Sequence, residues 1–452
     1  MVPPKPTLEM LRALTDENVL RALMAEARLT RAEIAARTGI SKPTISDSVR
    51  RLSAAGLLVD TGERTTGRGR VGSYYALAPD LGAALVVALT QHRVTAETVD
   101  ALGRVRDREE LELGPGAGAE AAADALTGVA DRLAARTPGG LRLAVVSAAD
   151  PVARTTGRLV RLPDAPFLIG DLDPRAALGA HVSGPVQVDN DVNWAARAEH
   201  ADGRAHGTDD FVYVHLGEGL GGAVVCDGEV RRGHHGFTGE IAHVWTVGPD
   251  DTAMPLTEVF AVLGLREPGS TAVDVGALRA RLEPGDGDVV REGGGKGGSD
   301  GGCQRRGDGR GRARADETRT ALARAIGPVL EAAVAFADPR LIVLGGTWGP
   351  ALAETVARRL AQSPRPVPVI AASVADPELT GARTQAIEEL RRLLVDSTHP
   401  TDRTGHPPAD PPHARPRPSS HAPAGADPRP NTHAPVGADL TPATHHRTQD
   451  IP

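Results

Sequence analysis

The sequence predicts an α/β chain in three parts: a small helical module closed by a hairpin, a large region of alternating strands and helices, and an unfolded tail. Three observations predict it. Residues 8–78 run helix, helix, helix and then two strand-like pieces. From about residue 80 to 396, strand-length apolar runs alternate with segments of helical periodicity. Beyond Thr398 the chain becomes rich in Pro, His and Ala, with a crude echo between SHAPAGAD and THAPVGAD.

The first helix of the module carries Leu11, Leu14, Val19, Leu20 and Leu23 as its apolar positions. In LTRAEIAARTGI, Thr30 is an N-cap with Glu33 three residues on, the spacing of a capping box, and Gly39 follows in a turn. The next stretch, SKPTISDSVRRLSAAGLL, opens on Ser41 as cap. It places Pro43 in the first turn, where a missing N–H costs little, and buries Ile45, Val49 and Leu52. LLVDTGERTTGRGRVGSYYALAPD then reads as a strand, a Gly- and Arg-rich tip and a returning strand. Helix, turn, helix and basic hairpin together describe a winged helix-turn-helix.

In the large region, LGAALVVAL and VTAETVDALGRV read as paired strands, and LRLAVVS and PVQVD as two more. FVYVHLGEGLGGAVVCDGEV reads as a hairpin, and LIVLGG as a final strand between two helices. Residues 284–316 lack an apolar face and are rich in Gly, which predicts a disordered insertion. The expected domains are therefore 1–79, 80–396 with that insertion, and an unfolded tail over 397–452.

Composition narrows the function. Aromatics make up 2% of the 452 residues, so the core must be built mainly from Ala, Val and Leu. No apolar run approaches the ~20 residues of a membrane span, and MVPPKPTLEM is unlike a secretory signal. The expectation is a soluble, cytoplasmic protein with no membrane partner. Cys226 and Cys303 alone cannot build a disulfide framework or a four-cysteine zinc site. A net charge of −7 gives no hint of nucleic acid, but a global sum can hide a basic module.

A helix-turn-helix presents the start of its second helix to base edges in the major groove, while a wing contacts a neighbouring groove or the backbone. The expected DNA-facing residues are Ser41, Lys42, Thr44, Ser46, Asp47, Arg50 and Arg51 in that helix, with Arg64, Arg68 and Arg70 in the wing. A solvated basic face on an interaction module is the plainer reading of the same arginines.

Further along stand VDNDVNWAARAE at 188–199, LGEGLGGAVVCDGEVRRG at 216–233, GFTGEIAH at 236–243, LIVLGG at 341–346 and LTGAR at 379–383. In this order the motifs resemble those of the ROK family, bacterial repressors and sugar kinases on an actin-like (ribonuclease H-like) two-lobed fold. Its repressors also carry an N-terminal winged helix-turn-helix. The resemblance implies that Asn190 and Asp191 grip ring hydroxyls, Asp191 being the catalytic base in kinases. It also implies that Glu240 and His243 hold the opposite edge of a sugar, with Glu258 in PLTEVF as a looser match. Such a set suits a polyol, because a wrong isomer would leave these fixed polar groups unpaired. Each residue also has a plainer role: Asp191 as a helix cap, Glu240 as a surface carboxylate, His243 as a core histidine.

Against the family's kinases, the phosphate-binding residues have changed. Where the resemblance expects Asp-x-Gly-Gly-Thr this chain has Ala88, Leu89, Thr90, Gln91 and His92; where it expects Gly-Thr-Gly the chain has Gly217, Glu218 and Gly219. A carboxylate facing phosphate positions repels them. The family's zinc-binding cysteines would fall within VWTVGPDDTAMPLTEVF, residues 244–260, which contains none. The tetrahedral site cannot close there; the expectation is no metal and no cofactor, with Trp245 packing the loop in place of zinc. His234, His235 and His243 with Asp250 or Asp251 read as ordinary surface residues.

The resulting expectation is a non-enzymatic transcriptional regulator of carbohydrate-related genes, a repressor, acting as a homodimer or homotetramer. Its partners would be a double-stranded DNA operator and a sugar or sugar-derivative effector. Two other readings stay open: a ligand-independent DNA-binding protein whose second domain is a dimerisation scaffold, and a sugar kinase with an attached DNA-binding module.

Overall fold

The computed structural model describes residues 7–66, 71–162, 165, 168–283 and 306–398. The chain opens with α1 (Leu8–Ala25), β1 (Leu29–Thr30), α2 (Arg31–Thr38), α3 (Lys42–Ala54), β2 (Leu58–Arg64) and β3 (Ser73–Leu77), the strands pairing in the order β1-β3-β2. The capping box is present: Thr30 Oγ1 accepts the Glu33 N–H at 3.2 Å and Glu33 Oε2 accepts the Thr30 N–H at 2.7 Å. Ile45, Val49 and Leu52 are buried as the apolar spacing requires. Leu11 and Leu14 are about half exposed instead, and α1 faces α3 with Ala13, Asp16, Val19, Leu20, Leu23 and Met24. Asp16 is the reason for the difference. It accepts from Ser48 and Arg51 of α3, and this buried polar tie sets which face of α1 turns inward.

Two sheets follow. The first comprises β4 (Ala83–Leu89), β5 (Arg93–Val99), β6 (Val105–Glu112), β7 (Leu141–Ala148) and β8 (Val186–Asn190), with α4 (Ala119–Arg136), α5 (Pro174–Leu178) and α6 (Asp191–Asp202) between or after them. The second comprises β9 (Phe211–Leu216), β10 (Leu220–Cys226), β11 (Glu229–Val230), β14 (Leu341–Gly345) and β15 (Val369–Ala371). Its insertions are a small hairpin, β12 (Trp245–Val247) with β13 (Ala253–Pro255), and the helices α7 (Leu256–Val262), α8 (Val275–Leu282) and α9 (Arg306–Ala337). α10 (Gly349–Leu360) leads to β15, and α11 (Pro377–Asp396) ends the described chain.

The two sheets share one plan. Their orders are β6-β5-β4-β7-β8 and β11-β10-β9-β14-β15, each with an antiparallel meander of three strands and two parallel strands added beside the first. LIVLGG is therefore not the final strand, since β15 pairs with it in parallel. Residues 306–316, expected to be disordered, instead form the start of α9. By length and composition, the stretch Arg312–Ala337 of that helix could cross a membrane. In this fold Leu322, Ile326, Val329 and Leu330 are buried in the core against α8 and α10.

The last helix, α11, returns to the first sheet and packs on β4, β7 and α6. The LTGAR motif lies in it and is structural. A Cβ on Gly381 would stand 2.0 Å from the Trp194 carbonyl oxygen, so only glycine lets α11 approach α6. Arg383 donates to Glu97 at 2.9 Å, and Arg108 donates to the other oxygen of the same carboxylate, also at 2.9 Å. Glu97 is 2% exposed, a buried acid made tolerable by two guanidinium groups. Farther along α11, Leu390 and Leu394 join Leu20, Leu23 and Met24 of α1 in one hydrophobic cluster.

Candidate functional site

The N-terminal module presents most of the expected DNA-facing residues on one exposed helix. Ser41 caps α3, accepting the Thr44 N–H at 3.4 Å, and its hydroxyl lies 2.7 Å from that of Thr44. Lys42, Thr44, Asp47 and Arg50 are exposed and Ser46 is half-buried. Arg50 is ion-paired with Asp47, and Arg64 with Asp60 at 2.9 Å. Arg51 departs from expectation: its guanidinium turns back to Asp16 at 2.6 Å, which makes it a strut between α1 and α3. Arg68 and Arg70 lie outside the described residues.

Between the two sheets is a cavity of about 440 Å³. Its walls come from the carboxyl ends of β4, β7, β8, β9 and β14, where side chains and turns project beyond the strands and open α/β sheets usually bind ligands. Asn190, Asp191, Glu240 and His243 all line it, so four residues from two distant motifs do converge. Gly239 makes that possible. Its φ is 97°, and a Cβ there would sit 1.8 Å from the Gly222 carbonyl oxygen, so the GEIAH strip lies directly against β10.

Asn190 is partly committed to the fold. Its Oδ1 caps α6 by accepting the Val192 N–H at 3.0 Å, and its amide donates to the Asp150 carbonyl at 3.1 Å. Asp191 accepts the same N–H at 2.7 Å. Desolvation pushes its carboxyl up to about 8, and the nearby Glu378 carboxylate adds to the rise. Glu258 does not reach the cavity. It pairs with Arg266 at 2.7 Å, because α7 turns that face outward and offers Thr257 to the cavity instead.

Four contributors were invisible in the sequence. Glu378, in the first turn of α11, lines the cavity, and burial raises its pKa. His215, at the end of β9, is held down to about 4 by burial and so is neutral. Ser147 lines the wall from β7. Asp150 is fully buried just behind it, pushed up to about 6 by desolvation although it accepts the Gly170 N–H at 2.6 Å. None falls within a glycine-marked motif that would have drawn attention to it.

At the other end of the cavity the two altered loops meet. Gln91 donates to Glu218, and His92 Nε2 lies 3.2 Å from the same oxygen. By the resemblance to the family's kinases these loops would hold a nucleotide's phosphates, and a carboxylate engaged with the opposite loop offers them no donor. The residues here do not fit ATP. Zinc fits no better, since residues 244–260 supply no thiolate. In place of a metal loop stands the β12–β13 hairpin, fastened to α9 by the Thr246 hydroxyl on the Ala325 carbonyl and by an ion pair of Asp251 with Arg324. Trp245 is 69% exposed and does not pack the loop as expected; the inward position of the hairpin falls to Thr246.

Comparison with known proteins agrees with this architecture. A model of the ROK family matches residues 86–255, and one of a winged helix-turn-helix DNA-binding domain matches residues 12–59. A xylose repressor of Caldicellulosiruptor bescii is 22% identical over 245 residues, which are 54% of this chain and 61% of that protein. A glucokinase of Halalkalibacterium halodurans is 42% identical over 69 residues, 15% of this chain and 21% of the enzyme. The matches thus span less than two thirds of these relatives. A crystal structure of a ROK family transcriptional regulator, a homolog of the E. coli MLC protein, superposes with a TM-score of 0.55 at 16% identity. It covers 86% of this chain and 99% of its own. The chain carries a ROK family domain behind a winged helix-turn-helix DNA-binding domain.

Proposed function

We propose that this chain is a DNA-binding transcriptional regulator, a repressor of carbohydrate-related genes, whose operator binding responds to a sugar or sugar derivative in the cavity. The observation that carries this reading is the path of α11. Its first turn brings Glu378 to the cavity wall, and about 20 Å farther along Arg391 donates to the Met24 carbonyl of α1 at 3.4 Å. The same guanidinium donates to Ala101 at 2.8 Å, so one side chain ties the DNA-binding module to the first sheet. A ligand that repositions the start of α11 acts on a rigid element whose other half holds the winged helix. A tenfold change in operator affinity needs only ~1.4 kcal/mol of such coupling.

The reading excludes a kinase. Glu218 bridges to Gln91 and His92 where phosphates would bind. A dimer or tetramer would present paired recognition helices to a pseudo-palindromic operator.

The test is fluorescence anisotropy of the full-length protein on DNA from upstream of its own gene, repeated with a panel of sugars. Specific binding that one sugar shifts at least fivefold is expected. Specific binding that no sugar shifts would leave the ROK domain as scaffold, and ATP-dependent phosphorylation of a hexose would return the chain to the kinases.

A further inference from the structure

The cavity's charge is lopsided. Glu112, Asp191, Glu218, Glu240 and Glu378 all line it, against the single guanidinium of Arg93. Glu218 belongs to the closed end, where it meets Gln91 and His92. Neither Asp191 nor Glu378 has an ion-pair partner within 4 Å among the described residues, although each carboxyl is largely withdrawn from water. Arg93, on the rim, only moderates Glu378, and the buried imidazole of His215 is neutral.

A second feature is independent of charge. Ser147 lines the cavity wall, is 1% exposed, and its hydroxyl has no hydrogen-bond partner among the described residues. Its neighbours across the sheet, Ala88 on β4 and Asp189 on β8, leave it unbonded in the described structure. A buried hydroxyl without a partner costs stability, and a ligand hydroxyl delivered to it recovers that cost.

We infer that the cavity takes a polyol bearing a protonated amine, an amino sugar or amino alditol, with the ammonium between Asp191 and Glu378 and a ring or chain hydroxyl on Ser147. The inference rests on the reading above that the cavity binds an effector, and it narrows the effector's class. Two desolvated acids that repel each other gain most from a cation placed between them. Phosphorylated and carboxylated sugars meet repulsion from Glu240 as well. Because burial favours the protonated form of Asp191, an ammonium that restores its charge displaces a proton to solvent. Asp376 beside Glu378, Asp150 behind the wall, and Glu112, Glu240, His243, Arg93 and His215 in the lining are titratable or charged groups around the pair.

Calorimetry on the full-length protein at pH 7 tests this with glucosamine, glucamine, glucose, sorbitol, N-acetylglucosamine and glucose 6-phosphate. Each is run in two buffers of different ionisation enthalpy. At least tenfold tighter binding of the amines than of their neutral counterparts is expected, with a buffer-dependent enthalpy that reports proton release for the amines alone. Glu378→Gln should narrow the preference to less than threefold, with circular dichroism to verify that the variant is folded. Neutral sugars binding as well as the amines would overturn the ligand class while leaving the effector reading intact. An amine preference that survives both Glu378→Gln and Asp191→Asn would overturn the assignment to these carboxylates. Absence of binding by every probe would overturn this inference and the effector reading together.

Discussion

Two parts of the cavity wall are built differently. At one end Asn190, Asp191, Glu240 and His243 still converge on open space, joined by Glu378 and Ser147. At the other, Gln91 and His92 reach across to Glu218 and join the loops that a nucleotide would have to separate. On the regulator reading, a chain can give up one activity without degrading the whole site. The groups proposed to recognise a polyol stand on strand ends and a seated helix, whereas phosphate recognition depends on turns that a few substitutions can close.

The contrast can be broken or sharpened in four ways, the largest effect first. The open end depends on α11 lying against α6, and Gly381→Val would drive a side chain into the Trp194 carbonyl. A loss of more than ~3 kcal/mol in urea unfolding is expected; a loss under ~1 kcal/mol would show that the contact is slack.

Asp191→Asn should stabilise the protein at pH 8 by about 2 kcal/mol, seen as a rise in Tm of several degrees. The sign follows from the raised pKa: the native carboxyl stays protonated while the unfolded one ionises above about 4. Its contribution to stability is fully present below that pH and is lost as pH rises toward about 8. The benefit of Asn should therefore vanish near pH 4. A gain that does not vary with pH would contradict the desolvated carboxyl.

Thr246→Val removes the hydroxyl's hydrogen bond to the Ala325 carbonyl, at an expected cost of about 1 kcal/mol. Proteolysis should then cut first in the hairpin at 245–255. Smallest is Glu218→Ala. The pair it breaks with His92 is substantially exposed, so stability should change by less than ~1 kcal/mol, and ATP turnover should not appear. Turnover in this variant would mean that Glu218 alone had silenced an otherwise competent site.

Much of this was legible in the sequence where local chemistry decides the outcome. Thr30 with Glu33, Ser41 before Pro43, and the alternation of apolar runs each encode a cap or a strand within a few residues. The strands β6 and β15 were missed because one is rich in charge and the other has only three residues. Glu378 escaped notice because an acid in a first helical turn reads as a partner of the helix dipole. Glu258 misled because one position along α7 separates the cavity face from the solvent face, a distinction that spacing to a diverged motif cannot make. Arg51 looked free for phosphate because its partner, Asp16, lies 35 residues away. Such ties depend on where the fold brings distant carboxylates.

The central claim is that cavity and DNA-binding module are coupled, and coupling is reciprocal. The most direct measurement titrates the amine and neutral polyols into the protein alone and into its complex with operator DNA. A repressor released by its effector should bind that polyol at least fivefold more weakly when DNA is bound. Equal affinities in the two titrations would contradict the account, leaving a cavity and a winged helix that share a chain and a helix but no signal.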